Sequence, residues 1–226
     1  KLRARHRVNV GVGRPQVAYR ETITQVAEVT HLHKKQSGGP GQFAQVTLRI
    51  APLARGEGVR FANASVGGAI PREYVPAVEA GVRRAAQAGV VAGFPLIDFE
   101  ATLLDGAFHE RDSSTLAFEL AAVAAFRDAA RRAGPQVLEP VMAVELITPT
   151  DHLGDVIGDL HRRRGAVRGQ APRGNAAVVD AQVPLKEMFG YIGHLRALTS
   201  GRAQYSMQFD RYAAAPASVS AELLAA

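Results

Sequence analysis

The chain has 226 residues, of which 47% are hydrophobic and 21% charged. That is enough apolar material for one large core or two ordinary ones, so disorder is not the default reading. Cysteine is absent, which removes disulfides, thiolate zinc sites, iron–sulfur clusters and cysteine nucleophiles and fits a reducing compartment. Lys and Arg number 27 against 21 Asp and Glu, a net charge of +6, and such an excess favours polyanionic partners by releasing their counterions.

In chain order, Arg7 to Val12 reads as a strand end and Gln16 to Thr30 as an extended run rich in Val, Thr and Ile. A glycine-rich hairpin follows from Lys34 to Gly41, with Phe43 to Ile50 as its return strand. Gly56 to Gly58 is a turn before a short strand, Val59 to Val66. Pro71 opens a helix whose Val75, Val78, Val82 and Ala86 form one apolar stripe. Phe94 to Leu104 is a strand and Asp105 to Arg111 a loop. Asp112-Ser113-Ser114 supplies capping side chains, with Asp112 the expected cap, for a helix that runs to Arg132. The longest apolar stretch, Thr115 to Phe126, is interrupted by Glu119 and is too short to cross a bilayer. No signal peptide is visible.

Gly134-Pro135 stops that helix and marks the domain boundary. Beyond it the order is strand (Leu138 to Thr148), helix (Val156, Ile157, Leu160), strand (Gly165 to Ala171) and strand (Ala176 to Val183). A helix from Pro184, with Met188, Ile192 and Leu195 read as core, precedes the last strand, Arg202 to Tyr212. This β-α-β-β-α-β order is the ferredoxin-like arrangement. Ala213 to Ala226 reads as a poorly fixed, partly helical tail.

Several spaced motifs are shared with a known family. They include Gly13-Arg14-Pro15 through Glu21, His33-Lys34-Lys35-Gln36-Ser37-Gly38-Gly39, Gly41-Gln42-Phe43-Ala44 and Gly67-Gly68-Ala69-Ile70-Pro71. Leu103-Leu104-Asp105-Gly106, His109 with Asp112-Ser113-Ser114, and Leu138-Glu139-Pro140-Val141-Met142 continue the series. Arg163-Arg164-Gly165, Met188-Phe189-Gly190-Tyr191 and Gly201-Arg202-Ala203 complete it. In these segments, in this order and over nearly its whole length, the chain resembles the C-terminal part of elongation factor G, the bacterial and organellar translocation GTPase.

The resemblance implies an α+β fold in two domains. Residues 1–12 would end a third domain. Residues 13–134 would form the fourth, a ribosomal-protein-like two-layer α/β domain. Residues 135–226 would form the fifth, ferredoxin-like, with the tail. It also implies partners: the ribosome, its RNA and the messenger–transfer RNA duplex, with no membrane and no DNA, in the cytoplasm. The tip residues would be Lys34, Lys35, Gln36, Ser37, Gly38, Gly39, Gly41, Gln42, His109, Glu110 and Arg111. Glycines let a backbone approach RNA closely, and shape with backbone contacts suits a factor that must accept every codon. The chain departs from the family at Arg111, where an apolar residue is usual, at Phe108, where Tyr is common, and at His31-Leu32-His33.

No Gly-x-x-x-x-Gly-Lys-Ser/Thr occurs, so no GTP site or hydrolysis is expected of this chain. In the family GTP and magnesium belong to an N-terminal domain. The chain, which starts at Lys1, reads as a fragment of something longer. No catalytic residue and no metal site is expected: His31 and His33 lack further ligands, and Asp105, His109 and Glu110 come with no nucleophile. His161-Arg162-Arg163-Arg164 divides evenly between two readings, ordinary cations at a helix end and contacts to ribosomal RNA, the second helped by Arg168 and Arg173 nearby in sequence. Two other functions compete with translocation. One is a related ribosomal GTPase used in recycling or ribosome protection; the other is a free-standing RNA-binding module.

Overall fold

The computed structural model describes residues 16–226. The expected strand at Arg7 to Val12, and the Gly13-Arg14-Pro15 motif, lie outside the described residues. Two compact units emerge: Val141–Asp210 forms one, and Tyr19–Pro140 together with Arg211–Ala226 forms the other.

The first unit is a four-stranded sheet backed by two helices. Its strands are β2 (Ala27–Lys35), β3 (Gln42–Pro52), β4 (Val59–Asn63) and β5 (Phe99–Ala107), in the order β2-β3-β5-β4. β4 and β5 run parallel; the other pairs are antiparallel. The helices are α1 (Val75–Ala88) and α2 (Thr115–Arg132). Alternation sends Val29, Ala44, Val46, Leu48, Ile50, Ala101 and Leu103 to the helix side, where they meet Val78, Val82, Phe118 and Phe126 in one core. The helices approach closely because Gly81 has no side chain: an added Cβ would stand 2.5 Å from the Glu119 carbonyl oxygen.

α2 starts where Ser114, in an extended conformation, accepts from the Ala117 N–H at 3.1 Å. Ser114, not Asp112, is therefore the N-cap. The far end is closed by an earlier segment of chain: the N–H groups of Thr24 and Gln25 both donate to the Ala133 carbonyl at 2.9 Å. These bonds satisfy a helix-end acceptor that would otherwise be orphaned.

The extended run expected from Gln16 to Thr30 is broken into β1 (Arg20–Thr22) and β2 by a bend. The reason is Glu21. Its side chain is fully buried, and the carboxylate accepts four backbone N–H groups, from Val90 (2.7 Å), Val91 (2.9 Å), Ala92 (3.0 Å) and Phe94 (2.9 Å). A carboxylate costs several kcal/mol to bury bare, and this cradle of donors offsets that cost while fixing the loop between α1 and β5. The expected strand start at Phe94 shifts to Phe99 because residues 94–97 are occupied in this contact, with Glu21 N donating to the Pro95 carbonyl and Ile97 N to that of Glu21.

The tail is not loose. Ala215 N donates to the Val137 carbonyl at 3.0 Å, and α5 (Ala217–Leu224) buries Val219. Arg20 lies over the Tyr212 ring at 5.4 Å. Residues 211–226 thus pack in the first unit, alongside the start of β6 (Gln136–Pro149), whose Gln136, Val137 and Leu138 pair with β1.

The second unit has the ferredoxin-like sequence of elements. Its sheet combines β6 from Val141 onward with β7 (Ala166–Arg173), β8 (Ala176–Pro184) and β9 (Gln204–Ala214) as far as Asp210. β8 lies between β6 and β7, and β9 pairs with the other edge of β6. The helices are α3 (Leu153–Arg162) and α4 (Tyr191–Thr199). Val144, Leu146, Val156, Leu160, Val179, Val183, Met188, Tyr191 and Leu195 form the core. Ile192, expected inside, is 49% exposed. The helix does not run on from Pro184: a 3-10 turn ends at Met188, and Phe189 and Gly190 break it before α4. That break rotates Ile192 outward and keeps Met188 and Leu195 inside.

Among the described residues, no helix is long and apolar enough to cross a membrane. Replacing Glu21 with Ala leaves the loop N–H groups without their acceptor. The expected outcome is a loss of roughly 3 kcal/mol in stability, read from the urea midpoint. A midpoint within error of the parent would refute the cradle's role.

Candidate nucleic-acid interface

Strand pairing brings the two loops of interest to one end of the first unit. β2 leads into the turn at residues 36–41 and β3 leads out of it, with Lys35 opposite Gln42. β5 runs antiparallel to β3, with Gln45 opposite Ala107, so the chain leaving β5 at residues 108–114 emerges beside that turn. A register shift between Thr47 and Leu48 bends this pairing just behind the tip.

The two loops are bolted together by the backbone of Phe43. Its N–H donates to the Asp112 carbonyl at 2.8 Å, and its carbonyl accepts from the Ser113 hydroxyl at 2.7 Å. The same hydroxyl accepts from His109 N–H at 2.8 Å, and Ser113 N–H donates to the His109 carbonyl at 3.0 Å. Ser113 is thus a latch, and helix initiation falls to Ser114. Asp112 is packed against the backbone of Gly41: a Cβ there would meet all three carboxyl atoms within 2.8 Å. A side chain at that position would require the Asp112 carboxylate to move.

His109 is half exposed, and its Nδ1 accepts from the Arg111 N–H at 3.3 Å. In the neutral ring this leaves the proton on Nε2. Nδ1 also lies 3.6 Å from the Asp112 carboxylate, and the ring sits 6.2 Å from that of Phe43. Gln42 bonds His33 Nε2 at 2.7 Å across the hairpin. Gln36, Ser37, Gly38 and Gly39 form the exposed turn, with Gly38 at φ +72°, and Lys34 and Lys35 flank it, also exposed. Glu110 and Arg111 are exposed on the second loop.

Every expected tip residue is therefore on one end of the unit; of them Gly41 and His109 touch the latch, and Gln42 is tied to His33 within its own hairpin. Sequence reasoning missed Ser113 and Phe43 as positioning residues. Their signal was the run His109–Ser114 read beside Gly41-Gln42-Phe43, which pairing alone joins. The tip offers donors, backbone and positive charge, with no enclosed pocket or nucleophile. Among the described residues, no three His, Cys, Asp or Glu side chains converge on one point.

The arginines of the second unit sort differently. Arg163 is mostly buried; it pairs with Asp159 at 3.0 Å, donates to the Glu187 carbonyl at 2.6 Å and lies 4.9 Å from the Tyr191 ring centre. Burial, reinforced by the Asp159 carboxylate, pushes the Tyr191 phenol well above its ordinary range. Arg164 pairs with Glu187 at 3.2 Å, and Arg168 donates to the Gln182 amide oxygen at 3.0 Å. Of the five, Arg162 and Arg173, both exposed, keep their heads outside such pairs. Arg163 is held in the interior and Arg162 at the surface, so the Arg162–Arg164 run does not share one environment.

Comparison with known proteins now adds what geometry cannot. The family description "Elongation factor G, domain IV" matches residues 15–134 and "Elongation factor G C-terminus" matches residues 136–223. The chain belongs to the elongation factor G family. It is 54% identical over 224 residues to elongation factor G of Granulibacter bethesdensis, covering 99% of this chain. It is 58% identical over 217 residues to elongation factor G 2 of Hahella chejuensis, covering 96% of it. In both cases it spans 32% of the relative's length. A crystal structure from Thermus thermophilus superposes with a TM-score of 0.86 at 40% identity, covering 94% of this chain and 32% of that one.

Two outcomes test this geometry. Ser113→Ala removes one donor and one acceptor from the latch. It should cost about 1–2 kcal/mol and speed amide hydrogen exchange in residues 36–43 and 108–113 together; unchanged exchange would reject the latch. Arg163→Ala should destabilise the chain by roughly 3 kcal/mol, since it takes from the buried Asp159 its arginine partner, leaving His194 Nε2 at 3.1 Å, and removes the donor to the Glu187 carbonyl, whereas Arg162→Ala should leave the melting temperature unchanged. Equal effects of the two would refute the sorting.

Proposed function

We propose that this chain is the RNA-contacting, non-catalytic end of a translation elongation factor. Its first unit would present the latched tip to the messenger–transfer RNA duplex on the ribosome during translocation. Its second unit would dock on ribosomal RNA. The observation that carries the reading is the latch: two exposed loops, the first rich in glycine and both offering donors, are held to one another at a single end of a sheet. RNA helices are recognised largely through phosphates, ribose hydroxyls and shape, and an exposed backbone with Lys34, Lys35, Arg111 and an Nε2–H on His109 suits that task. An unlatched pair of loops would lose that shape.

In this reading the chain supplies no nucleotide chemistry. GTP and magnesium would be handled by the part of the longer family members that these residues do not span, and that part would push this end against its RNA. That the relatives are elongation factors, and the chain's positive charge, support a partner in the translating ribosome.

The test is made in a full-length relative carrying these residues. Replacing His109 with Ala should slow translocation about tenfold or more while leaving ribosome-stimulated GTP hydrolysis within about twofold of the parent, measured by rapid kinetics. Translocation at the parent rate would sink the tip's role. Background translocation in the unmutated protein, with active subunit splitting, would assign it to recycling instead.

A further inference from the structure

The helices of the second unit pack on one face of its sheet. Val144, Leu146, Val179, Ala181 and Val183 point to that face and meet Val156, Leu160 and Leu195. The strand period of two turns the residues between them to the opposite face. There Ala143 and Glu145 of β6, Asp180 and Gln182 of β8 and Arg168 of β7 line an open depression of about 420 Å³, bordered by β9. It lies wholly within the second unit.

The charges on this face run against the usual pairing rule for sheets. Glu145 and Asp180 stand directly opposite one another in the β6–β8 register, and both are exposed. Like charges in that position repel, because opposed side chains leave the sheet only about 5 Å apart. Among the described residues, neither carboxylate has a hydrogen bond or an ion pair. The guanidinium that lines the depression is engaged elsewhere: Arg168 Nε donates to the Gln182 amide oxygen at 3.0 Å. The Gln182 amide nitrogen in turn donates to Asp210 Oδ2 at 2.8 Å. β6 lies between β8 and β9, so this second bond passes over β6, where Ala143, opposite Gln182, carries only a methyl group. Arg168 and Asp210 are thus tied through one amide, and the uncompensated charge of the face is that of Glu145 and Asp180.

A departure from a local pairing rule that costs stability is expected where a surface has another task. RNA is repelled by these two charges. A metal ion is a poor match, because no three ligating side chains converge among the described residues. A long cationic side chain suits the face: its apolar stem lies along the sheet and its charged head sits between two carboxylates.

We propose that this open sheet face docks a basic segment of a partner protein, with one lysine or arginine of that segment held between Glu145 and Asp180. The face is acidic on a chain whose net charge is +6, so the choice of a cationic polypeptide rests on complementarity to this face. It does not rest on the function proposed above, and failure of either leaves the other standing.

The experiment uses the whole 226-residue chain. The probe is a fluorescent peptide of alternating Lys and Ala, about ten residues long. Anisotropy across a salt series compares the parent with E145Q/D180N and with E28Q/E73Q, which removes the same charge from exposed positions of the first unit. E145Q/D180N should bind roughly tenfold more weakly at low salt, with E28Q/E73Q within about twofold of the parent. Relief of the repulsion should also place the melting temperature of E145Q/D180N about 2 °C above that of E28Q/E73Q. In parallel, the side-chain carboxyl carbon resonances of Glu145 and Asp180 in the parent are followed with the peptide, with spermidine, with magnesium chloride and with a short single-stranded RNA. Movement with the peptide, saturating where the anisotropy does, supports the proposal.

A folded E145Q/D180N chain that binds the peptide as the parent does overturns it. So does equal weakening by both double variants, which would reduce the effect to net charge. Resonances that ignore the peptide sink the proposal, as do resonances that respond to spermidine or magnesium at lower concentration than to the peptide, which would mark a site for small cations. A response to RNA and not to the peptide rejects the basic partner. A melting temperature of E145Q/D180N no higher than that of E28Q/E73Q removes the repulsion on which the inference stands. If E145Q/D180N fails to fold, the parent's resonances decide by themselves.

Discussion

The register of β3 against β5 is the constraint from which the candidate interface follows. Once Gln45 faces Ala107, the turn entering β3 and the loop leaving β5 must share an edge, because antiparallel strands exchange their ends. The side-chain period of two then makes that register hard to change. A slip of one residue would turn Val46, Leu48 and Ile50 from the helix layer to water. Burial of the core thus holds the tip in place from behind, and the Phe43–Ser113 bonds close it from the front.

Buried acids perform the remaining alignment. Glu21 in its cradle of N–H groups fixes the loop that leads into β5. Asp98, nearly inaccessible and in a left-handed conformation, accepts from Gly56 N–H, Gly58 N–H and the Arg55 guanidinium. It joins the turn before β4 to the start of β5. Both carboxylates are satisfied mainly by backbone donors, which a loop can supply only in one conformation. Charge buried in this way specifies geometry more than it adds stability, since desolvation consumes most of the gain. Rigidity of this sort spares loops that meet a partner by contour from being ordered again at each encounter.

The second unit divides its positive charge by the same logic. Arg163 is committed to the interior, where Asp159, the Glu187 carbonyl and the Tyr191 ring surround it. Arg164 and Arg168 are tied to neighbours on the surface. A guanidinium facing a carboxylate has little left for a phosphate, so a run of three arginines in the sequence is a poor guide to where an anion binds.

Much was legible before any coordinates. The strand and helix periods, Pro71 and Gly134 as punctuation, the β-α-β-β-α-β order and the spaced motifs come from local chemistry, which one stretch of chain carries by itself. The fold class and the family followed from these, as did the exposed glycine-rich turn. What only the tertiary structure decided depends on residues far apart in sequence. Ser113 latches onto Phe43, Asp112 is displaced from the cap by its place against Gly41, and Glu21 reaches the loop at residues 90–94. The tail returns to the first unit through Val137 and Val219. A side chain's partner across dozens of residues is set by packing and register, and neither leaves a period in the sequence to read.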